Sequence, residues 1–284
     1  MPATVGSVLA EAAAVLSQSG LVEPRRRARQ VIGGSLGLEP AELLLYTDRV
    51  LDEPQVEQLH SHIERLAAGE PLSRILSRRE FWGLDFDLVA ETLDPRPESE
   101  TVVEAVLARV DRKSSLRLLD LGTGSGCLLL ALLSELRIAF GVGVDLSPRA
   151  AAAARRNAQL LGLSERTSFF VGDWGSALLG RFDVIVANPP YIATAALAEL
   201  PPEVGAYDPT LALDGGEDGL CAYRGIVTRI SDLMAASALV ALETGTGQAS
   251  AVAAILSSHG LAIEAIEQDL AGHLRCLVAR RPPG

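Results

Sequence analysis

The sequence feature that most constrains the fold is a regular alternation of short apolar runs and helical stretches from Leu116 onward. Short runs rich in Val, Ile and Leu predict buried strands, and the helical periodicity between them predicts crossover helices. The pattern therefore predicts an α/β fold, a mostly parallel sheet with helices on both faces. A short connection between the last two runs predicts an antiparallel hairpin at one sheet edge. We predict seven strands at 116–121, 140–146, 168–173, 182–188, 238–244, 262–268 and 275–280, and helices at 127–136, 148–161, 219–235 and 248–258.

The residues before this region have a different pattern. Apolar side chains recur at helical spacing, and prolines and glycines stand at the expected helix ends, which predicts a small bundle with helices at about 5–16, 24–37, 40–45 and 53–68. Aromatic and β-favouring residues around Gly83 predict a β-hairpin, and the two prolines of 94–100 predict a connector. We therefore predict a helical domain at 1–77, a hairpin and linker at 78–100, and an α/β domain at 101–284.

Composition and charge narrow the classes of function. The formal net charge is −11, which disfavours nucleic acid as the main partner, since phosphate binding requires a basic face. Three scattered cysteines, Cys127, Cys221 and Cys276, predict neither a disulfide framework nor a metal site. We find no apolar run long enough to cross a bilayer and no basic, apolar signal peptide, so we expect a cytoplasmic protein without a metal.

A glycine-rich turn follows the first strand of the α/β region. It contains Gly122, Thr123, Gly124, Ser125 and Gly126, directly before a helix. Glycines there let the backbone approach a ligand closely, in the crevice where open α/β sheets bind their ligands. The GxGxG spacing differs from the dinucleotide-binding GxGxxG motif, and no Lys-Ser/Thr pair follows to bind phosphate. The loop therefore predicts a nucleoside ligand without phosphates.

Acidic residues end the next two strands. Asp145 lies 19 residues after Gly126, where a carboxylate can accept hydrogen bonds from both hydroxyls of a ribose. Asp173 and Trp174 end the third strand, where a carboxylate beside an indole suits the amino edge and the face of an adenine. Together with the glycine loop, these residues predict a site for S-adenosylmethionine, with S-adenosylhomocysteine as the product.

The fourth strand runs directly into Asn188, Pro189, Pro190 and Tyr191. Two consecutive prolines hold the chain rigid at the mouth of the cofactor crevice. The Asn188 side-chain carbonyl and the Pro189 backbone carbonyl can each accept one N–H of a planar amide or amine, and Tyr191 can stack on it. An amide nitrogen is a poor nucleophile, so positioning must supply much of the catalysis. A glutamate carboxylate has no N–H for these acceptors, so the pair also favours glutamine over glutamate.

These motifs resemble the release-factor glutamine methyltransferases, the PrmC/HemK group. The resemblance rests on DLGTGSG (120–126), GVDLSP (143–148), GDW (172–174) and NPPY (188–191), and on GEPLSRIL (69–76), REFWGLDF (79–86), DPRPESE (94–100), LALDGGEDGL (211–220) and DLAGHLRCLVAR (269–280). It implies a class I methyltransferase fold with a mostly parallel seven-stranded sheet, and makes 101–284 the S-adenosylmethionine-dependent methyltransferase domain.

The resemblance also implies a substrate, the glutamine of the Gly-Gly-Gln loop in bacterial class I peptide release factors, and an N-terminal domain that helps to dock it. Carried over by position, Gly122–Gly126, Asp145, Asp173, Trp174 and Asn188 would bind the cofactor, and Asn188–Tyr191 the substrate. Arg96, Pro97 and Glu100 would shape the pocket. The sequence departs from the family pattern at Ser77, where a glycine is usual, and in the less charged ending DLAGHLRCL.

Three alternative functions share some of these motifs. A glutamine methyltransferase of another protein, such as a ribosomal protein, would differ only in its docking surface. An adenine-specific nucleic-acid methyltransferase is compatible with NPPY, but needs a basic groove and room for a flipped base. A cofactor-sensing regulator would leave NPPY without a role.

Overall fold

In the computed structural model, residues 2–176 and 178–282 are described. The chain forms two compact units, one of residues 1–78 with 202–207, the other of residues 79–201 with 208–284. The division into 1–77, 78–100 and 101–284 stays a prediction. Within the described part of the chain, every helix is too short or too polar to cross a membrane.

The first unit is a bundle of helices closed by short loops. Its helices are α1 (Val5–Gln18), α2 (Pro24–Leu36), α3 (Pro40–Leu45), α4 (Glu53–Ala67), α5 (Leu72–Leu76) and the short α9 (Pro202–Gly205). Local sequence starts them: Thr4 and Ser7 form a reciprocal capping box at α1, and Asp52 and Gln55 form another at α4. The four helices predicted from periodicity are present, and their apolar faces form one core. Helix α5 lies in GEPLSRIL, which we did not predict as a separate helix.

A β-hairpin follows the helical bundle, with strands β1 (Arg78–Phe81) and β2 (Leu84–Asp87), and all of it from Arg79 onward belongs to the second unit. Its turn residues Trp82 and Gly83 both have positive φ, 56° and 67°, as in the tight turns that match strand twist. Side chains of the following domain hold it. The backbone N–H of Trp82 donates to Glu100 at 2.8 Å, and Asn157 bonds both backbone groups of Asp87 at 2.9 and 3.0 Å.

The rest of the second unit is a seven-stranded sheet in the order β5-β4-β3-β6-β7-β9-β8. The first five of these strands run parallel, and β9 pairs antiparallel with both β7 and β8. The strands are β3 (Arg117–Leu121), β4 (Phe140–Asp145), β5 (Thr167–Val171), β6 (Phe182–Ala187), β7 (Met234–Glu243), β8 (Ala262–Gln268) and β9 (Leu274–Arg280). The predicted class I methyltransferase fold and its edge hairpin are confirmed.

Helices cover both faces of this sheet and form two apolar cores against it. They are α6 (Glu100–Leu107), α7 (Cys127–Glu135), α8 (Pro148–Leu160), α11 (Cys221–Leu233) and α12 (Ala249–Ser258). The one-turn helix α10 (Thr210–Leu213) lies in the segment between β6 and α11. The predicted boundaries lie within two residues of the observed ones except at the start of β7, where the prediction was wrong. The helix predicted to reach 235 ends at Leu233, and β7 begins at Met234 instead of 238, because Met234 pairs with Phe182 across a register shift.

The strand order reverses at β3. Strands β4 and β5 lie on one side of β3, and β6 and the later strands lie on the other. The crevice of an open α/β sheet lies at such a switch point, outside the carboxyl ends of the strands. The loops after β3, β4, β5, β6 and β7 therefore meet at one edge.

Candidate active site

The loop after β3 takes the backbone conformation that glycine favours. Gly122, Gly124 and Gly126 have φ of 74°, 57° and 85°. The N–H groups of Gly122 and Thr123 both donate to the Val144 carbonyl, at 2.8 and 2.9 Å, which holds the loop to β4. A Cβ on Gly126 would lie 3.2 Å from the Cβ of Ala154, so this third glycine serves the packing of α7 on α8.

A cavity of about 390 Å³ opens beside this loop. Nine of the predicted site residues line it: Gly122, Thr123, Gly124, Ser125, Asp145, Asp173, Trp174, Asn188 and Pro190. Gly126, Pro189 and Tyr191 do not. Its remaining lining comes from 91–99, from Asp120 and the start of α7, from Leu146 and Gly172, and from 211–222.

Asp145 is fixed at the end of β4. Its Oδ2 accepts from the N–H of Gly124 and its Oδ1 from the N–H of Ser147, both at 2.8 Å. Burial raises the pKa of this carboxyl, and the backbone hydrogen bonds oppose that shift. Each carboxylate oxygen has a further lone pair, so a diol in the cavity can still donate to Asp145.

Asp120 is a second carboxyl in the cavity, and our sequence analysis missed it as a site residue. It is buried, and its Oδ2 accepts from the hydroxyl of Thr123 at 2.7 Å. Its Oδ1 has no hydrogen-bond partner among the described residues. Burial raises the pKa of Asp120 to about 7, which the Thr123 hydrogen bond opposes. A cationic ligand in the cavity would favour the ionised form.

Trp174 lies between two glycines. A Cβ on Gly122 would lie 3.6 Å from its ring, and one on Gly225 of α11 would lie 3.1 Å from its Cδ1 and Nε1. The residue also has a positive φ of 44°. Gly225 therefore makes room for an indole that lines the cavity beside Asp173.

Asn188 leaves the end of β6 with its amide already oriented. The Asn188 Nδ2 donates to the hydroxyl of Ser99 at 3.0 Å. Pro190 lies at the cavity wall, whereas Pro189 is buried and Tyr191 is half-buried against Gly245. Burial raises the pKa of Tyr191 to about 12, so it is neutral at physiological pH.

The glycine-rich loop 215–219 packs against the back of the NPPY segment. A Cβ on Gly215 would lie 2.8 Å from the Pro190 carbonyl oxygen, and one on Gly219 would lie 2.6 Å from Gln248 Nε2. Gln248 in turn donates to the Tyr191 carbonyl at 2.9 Å. The loop and Gln248 thus hold the NPPY segment from behind.

Comparisons with known proteins identify the family of this chain. Residues 7–76 match the PrmC N-terminal domain, and residues 112–214 match a methyltransferase domain. A release factor glutamine methyltransferase of Rhodospirillum rubrum is 48% identical over 277 residues, 98% of this chain and 85% of that protein. One from Bradyrhizobium diazoefficiens is 43% identical over 95% of this chain and 93% of its own length. The chain belongs to the release factor glutamine methyltransferase family.

The solved structures support the fold of this methyltransferase. A ribosomal protein L11 methylase from Lactobacillus delbrueckii subsp. bulgaricus superposes with a TM-score of 0.52, over 69% of this chain and 84% of its own. The two are 17% identical, so the likeness concerns the fold alone.

In this methyltransferase the three residues of DPRPESE predicted to shape the pocket lie outside the cavity wall. Arg96 pairs with the buried Asp208 at 2.5 Å, and Glu100 binds the hairpin turn. Pro97 opens a 3-10 turn that ends at Ser99. Their shared role is to fix the segment 95–99, whose Pro95 and Ser99 do line the cavity.

Two residues beneath Asn188 also escaped the sequence analysis. Ser99 and Glu243 are 2% and 1% exposed. Burial raises the pKa of Glu243 to about 7, while hydrogen bonds with Ser99 and Asn188 oppose the shift. Glu243 ends an apolar strand, and only its charge inside ALVALET signalled something unusual.

Proposed function

We propose that this enzyme transfers a methyl group from S-adenosylmethionine to the side-chain amide nitrogen of a glutamine, the one in the Gly-Gly-Gln loop of bacterial class I peptide release factors. The observation that carries the proposal is Asn188. Its amide nitrogen is bound to Ser99, so its carbonyl oxygen is left as an acceptor at the wall of the cofactor cavity.

The cavity residues fit the cofactor. The glycine loop is a surface that a Cβ at Gly122 or Gly124 would occupy, and both glycines have positive φ. Asp145 would accept from the ribose hydroxyls, and Asp173 with Trp174 would hold the adenine. Asp120 has a buried oxygen without a partner among the described residues, which suits the positive charge of the methionyl part.

When bound, the cofactor supplies a methyl group on a positively charged sulfur. The residues of the chain would do the rest by positioning. Asn188 Oδ1 and the Pro189 carbonyl would each accept one N–H of the glutamine amide, so that the face of its nitrogen points toward the methyl group. Fixed orientation of this kind recovers on the order of 7–11 kcal/mol of a bimolecular barrier.

This arrangement needs no general base before transfer, because methylation makes the amide nitrogen strongly acidic and it then loses its proton. It also selects against glutamate. The carboxylate of glutamate has no N–H to donate, so the Asn188 and Pro189 carbonyl oxygens would both be left without a donor. Unpaired polar groups of this kind support discrimination of about 10⁴-fold against the wrong substrate.

The relatives' names support the choice of protein substrate. Two release factor glutamine methyltransferases match this chain over 85% and 93% of their own lengths. The helical unit, which matches the PrmC N-terminal domain, would help to bind that substrate. Release factors act in translation, so the reaction would take place in the cytoplasm.

The test is methyl transfer from labelled S-adenosylmethionine to a purified class I release factor, with a Gln→Ala variant of its Gly-Gly-Gln loop as the control. Label on the normal protein alone is the expected result. Label on both would place the methyl group on another residue. No label on either, with cofactor binding intact, would refute the release-factor substrate and direct the search to other proteins and to nucleic acid.

A further inference from the structure

Glu243 is a buried carboxyl that has no role in the proposed methyl transfer. It is the last residue of β7, and Leu242 pairs in parallel register with Ala187 of β6. Glu243 and Asn188 therefore leave neighbouring strands at the same level. Glu243 does not line the cofactor cavity, yet its side chain meets those of Ser99 and Asn188, which do.

A carboxyl in this place is costly for stability. Burying an ionised carboxylate is expensive unless it is paired and hydrogen-bonded. Within the described residues Glu243 forms no ion pair, and its Oε2 has no hydrogen-bond partner. The guanidinium of Arg275 is bound to Asp269 at 2.9 Å, and the hydroxyl of Tyr223 donates to the backbone carbonyl of Glu243. An apolar residue would pack there at lower cost, so the carboxyl needs another explanation.

A carboxylate at this position can determine which end of the Asn188 amide, the carbonyl oxygen or the NH₂ group, faces the cavity. A planar amide can turn by 180° and exchange its carbonyl oxygen with its NH₂ group. A carboxylate accepts hydrogen bonds but cannot donate them. Next to an ionised Glu243, the NH₂ end of Asn188 is attracted inward, where its Nδ2 also donates to Ser99 at 3.0 Å. The carbonyl end must then face the cavity.

We propose that Glu243 is a positioning residue that fixes the orientation of the Asn188 amide, so that its carbonyl oxygen faces the substrate nitrogen. The proposal rests on the proposed function, because that orientation matters for a substrate with N–H groups to donate. If Glu243 becomes a donor, the amide can turn, and the site then presents an NH₂ group that suits a carboxylate better than an amide.

Protonation of Glu243 would have the same effect as replacement. Its charge is influenced by Glu98 after Pro97, by Arg275 on β9, and by the tyrosines of the NPPY segment and α11. Burial raises its pKa to about 7, so the fraction ionised, and with it the fraction of correctly turned Asn188, falls as the pH drops below that value.

The main test compares Glu243→Gln with Glu165→Gln, which makes the same chemical change on an exposed 3-10 turn. At saturating S-adenosylmethionine and mildly alkaline pH, we expect Glu243→Gln to lower kcat on the release factor by about 10–10²-fold, the effect of misplacing a reacting group. Cofactor Kd should stay within about twofold, because Glu243 does not line the cavity. Glu165→Gln should behave like the wild type.

Two further readouts separate positioning from a general loss of structure. The acid limb of the wild-type kcat profile should disappear in Glu243→Gln. A release factor with Glu in place of its Gly-Gly-Gln glutamine should inhibit Glu243→Gln more strongly than it inhibits the wild type. A Glu243→Gln variant with wild-type kcat, or one that keeps the acid limb, would overturn the proposal.

A final measurement needs no substrate, and the two proteins that it compares both keep Glu243. A ¹³C NMR titration of the glutamate carboxyls, assigned with Glu243→Gln, should show the Glu243 pKa rising in Asn188→Ala, because a donor is removed. An unchanged pKa would mean that the two side chains do not interact, and would overturn the proposal even if the release factor is not methylated. Absent methylation with the pKa shift present would instead refute only the release-factor substrate.

Discussion

Gly219 lies behind the NPPY segment, and replacing it with alanine gives a sharp test of how closely that segment must be placed. Its φ is +73°, so Gly219→Ala imposes a left-handed conformation on a residue with a Cβ, at about 1–2 kcal/mol. The new Cβ would also overlap the Tyr191 carbonyl oxygen and lie 2.6 Å from Gln248 Nε2. Ordinary contact begins at 3.4 Å, so Gln248 must move by about 0.8 Å and the Tyr191 carbonyl oxygen by slightly more.

A shift of that size affects catalysis more than it affects folding. Tyr191 is three residues from Asn188, and a displacement of about 1 Å in a positioning group costs on the order of 10²-fold in rate. We therefore expect Gly219→Ala to lower kcat about 100-fold, or about 2.7 kcal/mol in the barrier. The cofactor Kd should change little, because Gly219 does not line the cavity.

The matched control is Gly260→Ala, at the end of α12. Its φ is +79°, but in the part of the chain that the structure describes a Cβ there meets nothing within 4 Å. Both variants should therefore lose a few degrees in Tm from backbone strain, on the order of 2–4 °C per kcal/mol. Only Gly219→Ala should lose activity in the labelled-methyl assay. A kcat within about threefold of the Gly260→Ala value would refute the view that close packing behind NPPY positions the substrate.

Three other substitutions test the cavity residues. Asp145→Ala should weaken S-adenosylmethionine binding by about 10²-fold or more, since two charge-assisted hydrogen bonds are lost, with kcat at saturation much less affected; unchanged affinity in calorimetry would remove Asp145 from ribose binding. Asp120 has a pKa raised to about 7, and its ionised form should bind the cationic cofactor better, so cofactor affinity should increase as the pH rises through 7. Asp120→Asn should remove that dependence, and a dependence that persists would assign it to another group. Asn188→Ala should abolish methyl transfer and weaken cofactor binding less; near-normal turnover would contradict the amide-binding role.

Much of this architecture could be predicted because local sequence determines local structure. Short apolar runs such as 116–121 and 182–188, placed between helical stretches, favour buried strands. The handedness of βαβ crossovers then limits how these strands assemble. Helices begin at Pro24 and at the capping boxes of Thr4 and Asp52, and each of these signals involves only residues close together in the sequence. The glycine loop and the NPPY segment carried their chemistry in consecutive residues, so the cofactor class and the reacting group could both be inferred.

The start of β7 could not be predicted in the same way. The residues Met234–Ser237 have no strong strand propensity, and they extend the strand because Met234 pairs with Phe182. That partner lies more than fifty positions away in the sequence, and its register includes an irregularity that no local pattern signals.

The sequence by itself determined the fold class, the helical bundle, the glycine loop and the NPPY segment, because each depends on spacings within a single stretch of chain. Only the tertiary structure determined that Asp120 has a buried oxygen without a partner among the described residues, that Glu243 lies beside Asn188, and that Gly219 packs against Tyr191. These relations join residues from different strands and loops at one edge of the sheet. The charge state of a carboxyl depends on neighbours that the fold brings together, and so does the requirement for glycine at a given position.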